Sequence, residues 1–353
     1  MKISPKRILY LDEVRSLAII LVVVGHIVRM YSKDFTTWLI CSGIFSLTRI
    51  GVPLFFTVSG ALLLTRKHVI MEFLEKRFKR VVLPFAFWII VYIILGIVIW
   101  GNVFSPEYCL GIILGSNGLA SPFWFIWSLI GIYLLIPMIS SFIREYDIFA
   151  YEYCIVITLV LSIFFTIGFF QIQQAKFEFR VIYNFFSVLG YFILGSCIHN
   201  TVFYTSKRNS FLIGVALFIV GIIGHFILIY NAGLGGFELK PVDSFNIFVM
   251  LENIGLFIAF KYANVKMISS KLKPIKEQKL GEIILLFSSC SFGIYFSHYI
   301  LTLYLFKFGF MHSWPLYGLT YFPVSCILII GACWLLIWIM SKIPLLKIGS
   351  GVK

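Results

Sequence analysis

The sequence predicts an all-α polytopic membrane protein of about ten transmembrane helices, with both termini on the cytoplasmic side, and three observations carry that prediction. First, 60% of its 353 residues are hydrophobic and only 12% are charged, about half the charged share of a soluble domain. Second, apolar runs of roughly 20 residues recur along the whole length, the number needed to cross a hydrocarbon core of about 30 Å. These runs are continuously apolar rather than alternating, which excludes a transmembrane β-barrel. Third, Lys and Arg are distributed asymmetrically between the connections.

The spans read, in order, as 11–31, 41–65, 82–100, 122–140, 152–171, 181–199, 211–230, 245–263, 283–306 and 320–341. Most of the 29 basic residues fall on one side of this arrangement: Lys2, Lys6 and Arg7, the loop 66–81, Arg144, Lys207 and Arg208, the segment 261–282, and the final stretch with Lys342, Lys347 and Lys353. That side is cytoplasmic by the positive-inside rule. The same asymmetry accounts for the net charge of +14, so no nucleic-acid partner is called for. The basic start resembles a signal peptide, but Asp12 and Arg15 interrupt its apolar region and no small-residue cleavage site closes it, so an uncleaved first helix is expected. The seven cysteines lie mostly inside spans and form no CxxC pair. They read as apolar fillers, with no metal site or disulfide framework expected.

No loop is long enough for a separate soluble domain, so residues 1–353 are expected to form one membrane domain. The outer connection 101–121 has room for a short re-entrant or interfacial piece, and the Lys-rich loop 264–282 is expected to be amphipathic. The two halves show no repeat, which disfavours the inverted-repeat transporters.

Ionisable residues inside a membrane are costly and mark functional sites or buried pairs. In span 1, Arg15 and His26 are eleven residues apart. At about 100° and 1.5 Å per residue they share one helix face, roughly 16 Å apart along the axis. Asp12 precedes Arg15 by three residues and is placed to pair with it across one turn; the two also fit an interfacial position where snorkelling is cheap. His26 follows an unbroken apolar run and is the candidate for chemistry. Span 2 carries Arg49, expected to face the bundle interior, and the pair Ser59–Gly60, which fits either a site or close helix packing.

In KRFKRVVLP, Arg77 and Arg80 are i, i+3 neighbours. Ordinary topology explains the cluster as well as a grip on a phosphorylated cytosolic cofactor does. Trp124 opens span 4, as an interfacial aromatic or a carbohydrate platform. Span 9 sets Tyr295 and His298 on one face, and His298 is the second deeply placed histidine. His199 and His225 lie near span ends and His68 and His312 in loops, and these read as structural. Glu252 has no neighbour of opposite charge in sequence and is expected to pair across helices.

Four segments, in order, carry a resemblance that covers the whole chain: LDEVRSLAIILVVVGH with Arg15 and His26, RIGVPLFFTVSGALL, KRFKRVVLP, and the pair WFIWSLIGIYLLIP and SFGIYFSH. Together they resemble acyltransferase family 3, membrane-embedded enzymes that O-acylate bacterial surface glycans. The compact size is similar to the branch of enterobacterial-common-antigen and O-antigen O-acetyltransferases. The family often has Gly after the first Arg, where this chain has Ser16.

The resemblance implies a multi-pass protein of the bacterial inner membrane, with acetyl-CoA or another acyl-CoA as a donor that does not stay bound. It further implies a sugar hydroxyl of a lipid-linked or surface glycan as acceptor. Membrane lipid is the remaining partner, and self-association into a homo-oligomer is left open. On this reading His26 is the general base or a transient acyl carrier. Arg15 orients the donor or steadies charge, Asp12 holds Arg15, and Arg77 and Arg80 contact CoA phosphates. Arg49, Ser59, Trp124, Tyr295 and His298 form a second tier. The rival reading is a transporter or flippase for polysaccharide or lipid-linked sugar, to which ten spans with buried charges are equally natural.

Overall fold

A computed structural model describes residues 8–32, 34–172, 177–201, 205–234, 236–237, 239, 245–263, 274–308 and 321–352. The Lys-rich stretch 264–273 lies outside the described residues, as do Lys176, Glu238, Asp243 and His312. Among the described residues the regular structure is helical, with no strand. The helices are α1 (Leu9–Val28), α2 (Phe35–Thr48), α3 (Gly51–Leu63), α4 (Ile70–Arg77), α5 (Leu83–Trp100), α6 (Pro106–Leu114), α7 (Trp124–Ile172), α8 (Phe177–Asn200), α9 (Lys207–Gly233), α10 (Ile247–Tyr262), α11 (Pro274–Lys307), α12 (Phe322–Met340) and the short α13 (Lys347–Ser350).

Six stretches among the described residues are long and apolar enough to cross a membrane: Phe35–Leu63, Ile70–Trp100, Pro106–Tyr146, Lys207–Gly233, Lys279–Lys307 and Phe322–Met340. α1 is also 20 residues long, but it carries Asp12, Glu13 and Arg15 in its first two turns. The outward faces are apolar, as lipid requires: Ile90, Ile94 and Val98 on α5, Ile219, Val220 and Ile223 on α9, and Ile327 and Leu328 on α12 are all exposed. This is an all-α polytopic membrane protein.

The structure departs from the expected spans in three places, each with a local cause. Span 2 is two helices, α2 and α3, that meet at Arg49–Ile50. Pro53 has no N–H for the Arg49 carbonyl and its ring crowds that carbonyl, so the α ladder is interrupted there and resumes with Leu54 N–H to Ile50 O at 2.9 Å. The loop 66–81 is largely helical: α4 runs through a π-turn, Phe78–Val82, into α5. The Leu83 N–H reaches back five residues to the Phe78 carbonyl, just ahead of Pro84.

Spans 4 and 5 belong to one helix, α7, of 49 residues. Its polar middle contains no Gly or Pro between Met138 and Tyr151, so nothing stops the helix there. Arg144 is instead tied sideways, Nη1 donating to the Arg66 carbonyl at 2.8 Å. Other ends follow ordinary capping. Asp34 and Thr37 form a reciprocal capping box on α2, and Ser105 with Pro106 opens α6 inside the expected outer connection.

The described residues cluster into two compact units. The first comprises residues 1–21, 32–67 and 135–288; the second comprises 22–31, 68–134 and 289–353. In the first, α3 crosses α8 with backbones almost touching. A Cβ on Gly60 would lie 1.7 Å from the Phe192 carbonyl oxygen, and one on Gly195 would lie 1.9 Å from the Thr57 carbonyl oxygen. Small residues let membrane helices pack this closely, and here the close packing falls to Gly60 of the Ser59–Gly60 pair. The apolar core of this unit joins Leu11, Val14 and Ala18 of α1 to Leu54 and Val58 of α3 and Phe257 of α10.

The second unit is built on aromatic rings. Trp88 and Phe296 stack at 6.1 Å, Tyr92 packs on Phe123 at 4.7 Å, and the Tyr92 hydroxyl donates to the Phe296 carbonyl at 2.8 Å.

Candidate active site

In the first unit, α1 presents Asp12 and Arg15 one turn apart. Asp12 is 5% exposed, so its carboxylate needs partners. Its Oδ1 accepts from Ser288 Oγ at 2.6 Å and lies 3.8 Å from Arg15 Nη1. Ser288, on α11, is 276 residues away in sequence, and no local pattern pointed to it. Ser16, where the family often has Gly, turns its hydroxyl back to the Asp12 carbonyl at 2.9 Å.

Arg49 sits at the α2–α3 junction with its guanidinium 5.1 Å from the centre of the Phe45 ring. Its charge also reaches His225. His225 and Glu252 are both fully buried, and His225 Nδ1 is 3.2 Å from Glu252 Oε1. Glu252 thus has the cross-helix partner the sequence expected, and it is a histidine. Gly221 makes the approach: a Cβ there would lie 2.6 Å from Glu252 N and Cγ. Next to the pair, Thr57 Oγ1 donates to Asn253 Oδ1 at 2.8 Å. Ser59 is half-buried on α3.

In the second unit, His26 of α1 is half-buried, and its ring lies 5.2 Å from that of His298 and 5.0 Å from that of Tyr299. The two deep histidines of the sequence are therefore neighbours. His298 is completely buried, with Nδ1 2.7 Å from the Tyr295 carbonyl and 3.2 Å from the Ile294 carbonyl. A carbonyl only accepts, so Nδ1 carries the hydrogen and a neutral ring keeps its lone pair on Nε2. That Nε2 is buried and has no hydrogen-bond partner among the described residues.

Tyr295 is buried and its hydroxyl donates to the Pro122 carbonyl at 2.6 Å, so this side chain positions the wall of the site. Trp124, half-buried, opens α7 two residues further on, and its carbonyl accepts from Ser128 Oγ at 3.1 Å.

The same unit holds a cavity of about 500 Å³ whose lining includes Lys76, Arg77, Lys79 and Arg80 together with Lys347 and its neighbours. Pockets for small ligands have about this volume. The π-turn carries Lys79 and Arg80, while Arg77 at the end of α4 lies over the Phe73 and Tyr133 rings at 5.0 and 5.3 Å. Among the described residues no group of three His, Cys, Asp or Glu side chains is arranged to hold a metal ion.

These features define a class: a helical membrane protein with two imidazoles in contact and a cationic pocket. The sequence places it further. The profile of the acyltransferase family, described as "Acyltransferase domain", matches residues 8–338, and the chain belongs to acyltransferase family 3. No curated protein and no solved structure matches it.

Proposed function

We propose that this protein is an O-acyltransferase of the bacterial inner membrane. In this reading it moves an acyl group, acetyl in the simplest case, from cytosolic acyl-CoA to a sugar hydroxyl of a lipid-linked or surface glycan. The observation that carries the reading is the contact of the half-buried His26 ring with that of buried His298, in a unit that also carries the cationic cavity.

A neutral imidazole takes the proton of the sugar hydroxyl as the oxygen attacks the thioester carbonyl. The tetrahedral intermediate collapses, the C–S bond breaks, and the CoA thiolate leaves and takes up the proton. His26, half-buried and therefore reachable, is the base in this scheme, and His298 with Tyr299 holds its ring in place. An alternative order has His26 accept the acyl group first and pass it on. Arg77 and Arg80 grip the CoA phosphates.

The test is acyl transfer from labelled acetyl-CoA to glycolipid by the purified protein in nanodiscs, comparing wild type with His26→Ala. Transfer by wild type and its loss in the variant are expected. Normal transfer by His26→Ala overturns the assignment of the base. Movement of glycolipid with no CoA released would instead make the protein a transporter. Labelled acyl group retained on the protein after denaturation would establish the relay order.

A further inference from the structure

We infer that the segment Pro344–Val352 is a built wall of the donor pocket and that Lys347 is one of its phosphate ligands. The inference rests on the acyl-CoA reading above and extends it to a part of the chain outside the four motif segments.

The segment is fastened. Trp88 Nε1 donates to the Gly349 carbonyl at 2.9 Å in a buried hydrogen bond. Ser350 is completely buried, and a Cβ on Gly293 of α11 would stand 2.5 Å from the Ser350 carbonyl oxygen, so the two backbones are in contact. Inside the segment, Ser350 Oγ donates to the Lys347 carbonyl at 2.7 Å and accepts from Val352 N–H at 3.1 Å. Gly351 turns the chain at φ +63°, a conformation other residues rarely adopt. A lysine that served only to orient the protein in the membrane would not need its backbone fixed in this way.

The result is that an exposed Lys347 stands two residues ahead of the buried Gly349 and Ser350 and lines the same cavity as Arg77 and Arg80. The charge balance of that cavity selects Lys347 from its neighbours. Lys76 is paired with Glu72 at 3.3 Å and Lys79 with Glu75 at 2.5 Å. Arg80 and Lys347 make no ion pair with a described residue. Arg80 and Lys347 therefore supply positive charge beyond those two pairs, and they reach one cavity from two stretches far apart in the chain. Coenzyme A carries a pyrophosphate and a further phosphate on its ribose, a polyanion that such a set of cations can hold at more than one point.

The experiment measures CoA affinity in nanodiscs of zwitterionic lipid for wild type, Lys347→Gln, Lys347→Arg and Arg80→Ala, with melting temperatures to confirm folding. Lys347→Gln is expected to bind CoA about tenfold more weakly, the effect of losing one charged contact, and Lys347→Arg is expected to bind nearly as wild type.

Unchanged CoA affinity in Lys347→Gln with weakened affinity in Arg80→Ala would overturn the role of Lys347 and leave the donor pocket standing. A lysine that served anionic lipid headgroups would give that same outcome in zwitterionic lipid. Unchanged affinity in both variants would overturn the donor pocket itself and this inference with it.

Discussion

Two buried histidine pairs in this chain are built from similar parts to opposite effect. In the first unit, His225 faces Glu252, both are sealed from solvent, and a glycine lets the helices close over them. In the second, the His26 ring lies against those of His298 and Tyr299, and His26 keeps part of its surface. A histidine whose partner is a buried acid is held in place by it. His298 instead faces backbone carbonyls with Nδ1, and its Nε2 is buried with no hydrogen-bond partner among the described residues. Burial alone does not tell the two sites apart; the chemistry of the partner does.

His26→Ala should produce the largest effect on this contrast, an acyl-transfer rate lower by about 10²- to 10⁴-fold, the usual contribution of a general base. Its melting temperature should stay near that of wild type. Next comes the sealed pair. Glu252→Leu leaves His225 buried without its acid and should destabilise the protein by about 1–3 kcal/mol, the cost of losing a buried hydrogen-bond partner, seen as early thermal unfolding in detergent. Adding His225→Leu should recover much of that loss, because a buried pair replaced by apolar side chains of similar size is often tolerated. Transfer per folded molecule should be unchanged in the double variant. If its chemistry fails while its fold survives, the two pairs are not different in kind.

Gly60→Val, which drives a side chain into the Phe192 carbonyl, should cost about 1–3 kcal/mol through forced backbone shifts, readable as a lower melting temperature. The smallest effect belongs to Tyr295→Phe, which removes the hydroxyl that donates to the Pro122 carbonyl. A loss of about 1 kcal/mol in stability is expected, with a modest fall in transfer rate.

The sequence made the fold class legible because long apolar runs and the placement of Lys and Arg are composition-level signals. It also made Arg15, His26, Arg49 and His298 stand out, since a charged or ionisable residue in an apolar run is conspicuous. What it hid was partnership across distance. Ser288 on Asp12, His225 on Glu252, and Lys347 with Arg80 at one cavity join residues far apart in the chain, and no spacing rule links them. Tyr299 was hidden for another reason: an aromatic beside a histidine in an apolar helix looks like ordinary packing.

Helix continuity was misjudged where a single residue decides it. Pro53 breaks a span that reads as one run. The stretch from Met138 to Tyr151 reads as a loop by its charge, yet it holds no residue that would end a helix.

The π-turn at Phe78–Val82 has a consequence for how this protein tolerates insertion and deletion. A π-turn holds one more residue than the α-turn it replaces, so it works like a dislocation in a screw thread. Deleting one residue there would let the helix run true from Ile70 to Trp100 and leave Lys76 and Arg77 at nearly their present angle to Leu83 and Pro84, because the extra residue is taken up within the turn itself. Forcing the same residues into a regular α-helix with nothing deleted would instead swing those cations by about 100°. The bulge therefore lets the helix carry one extra residue while its basic side chains keep their facing.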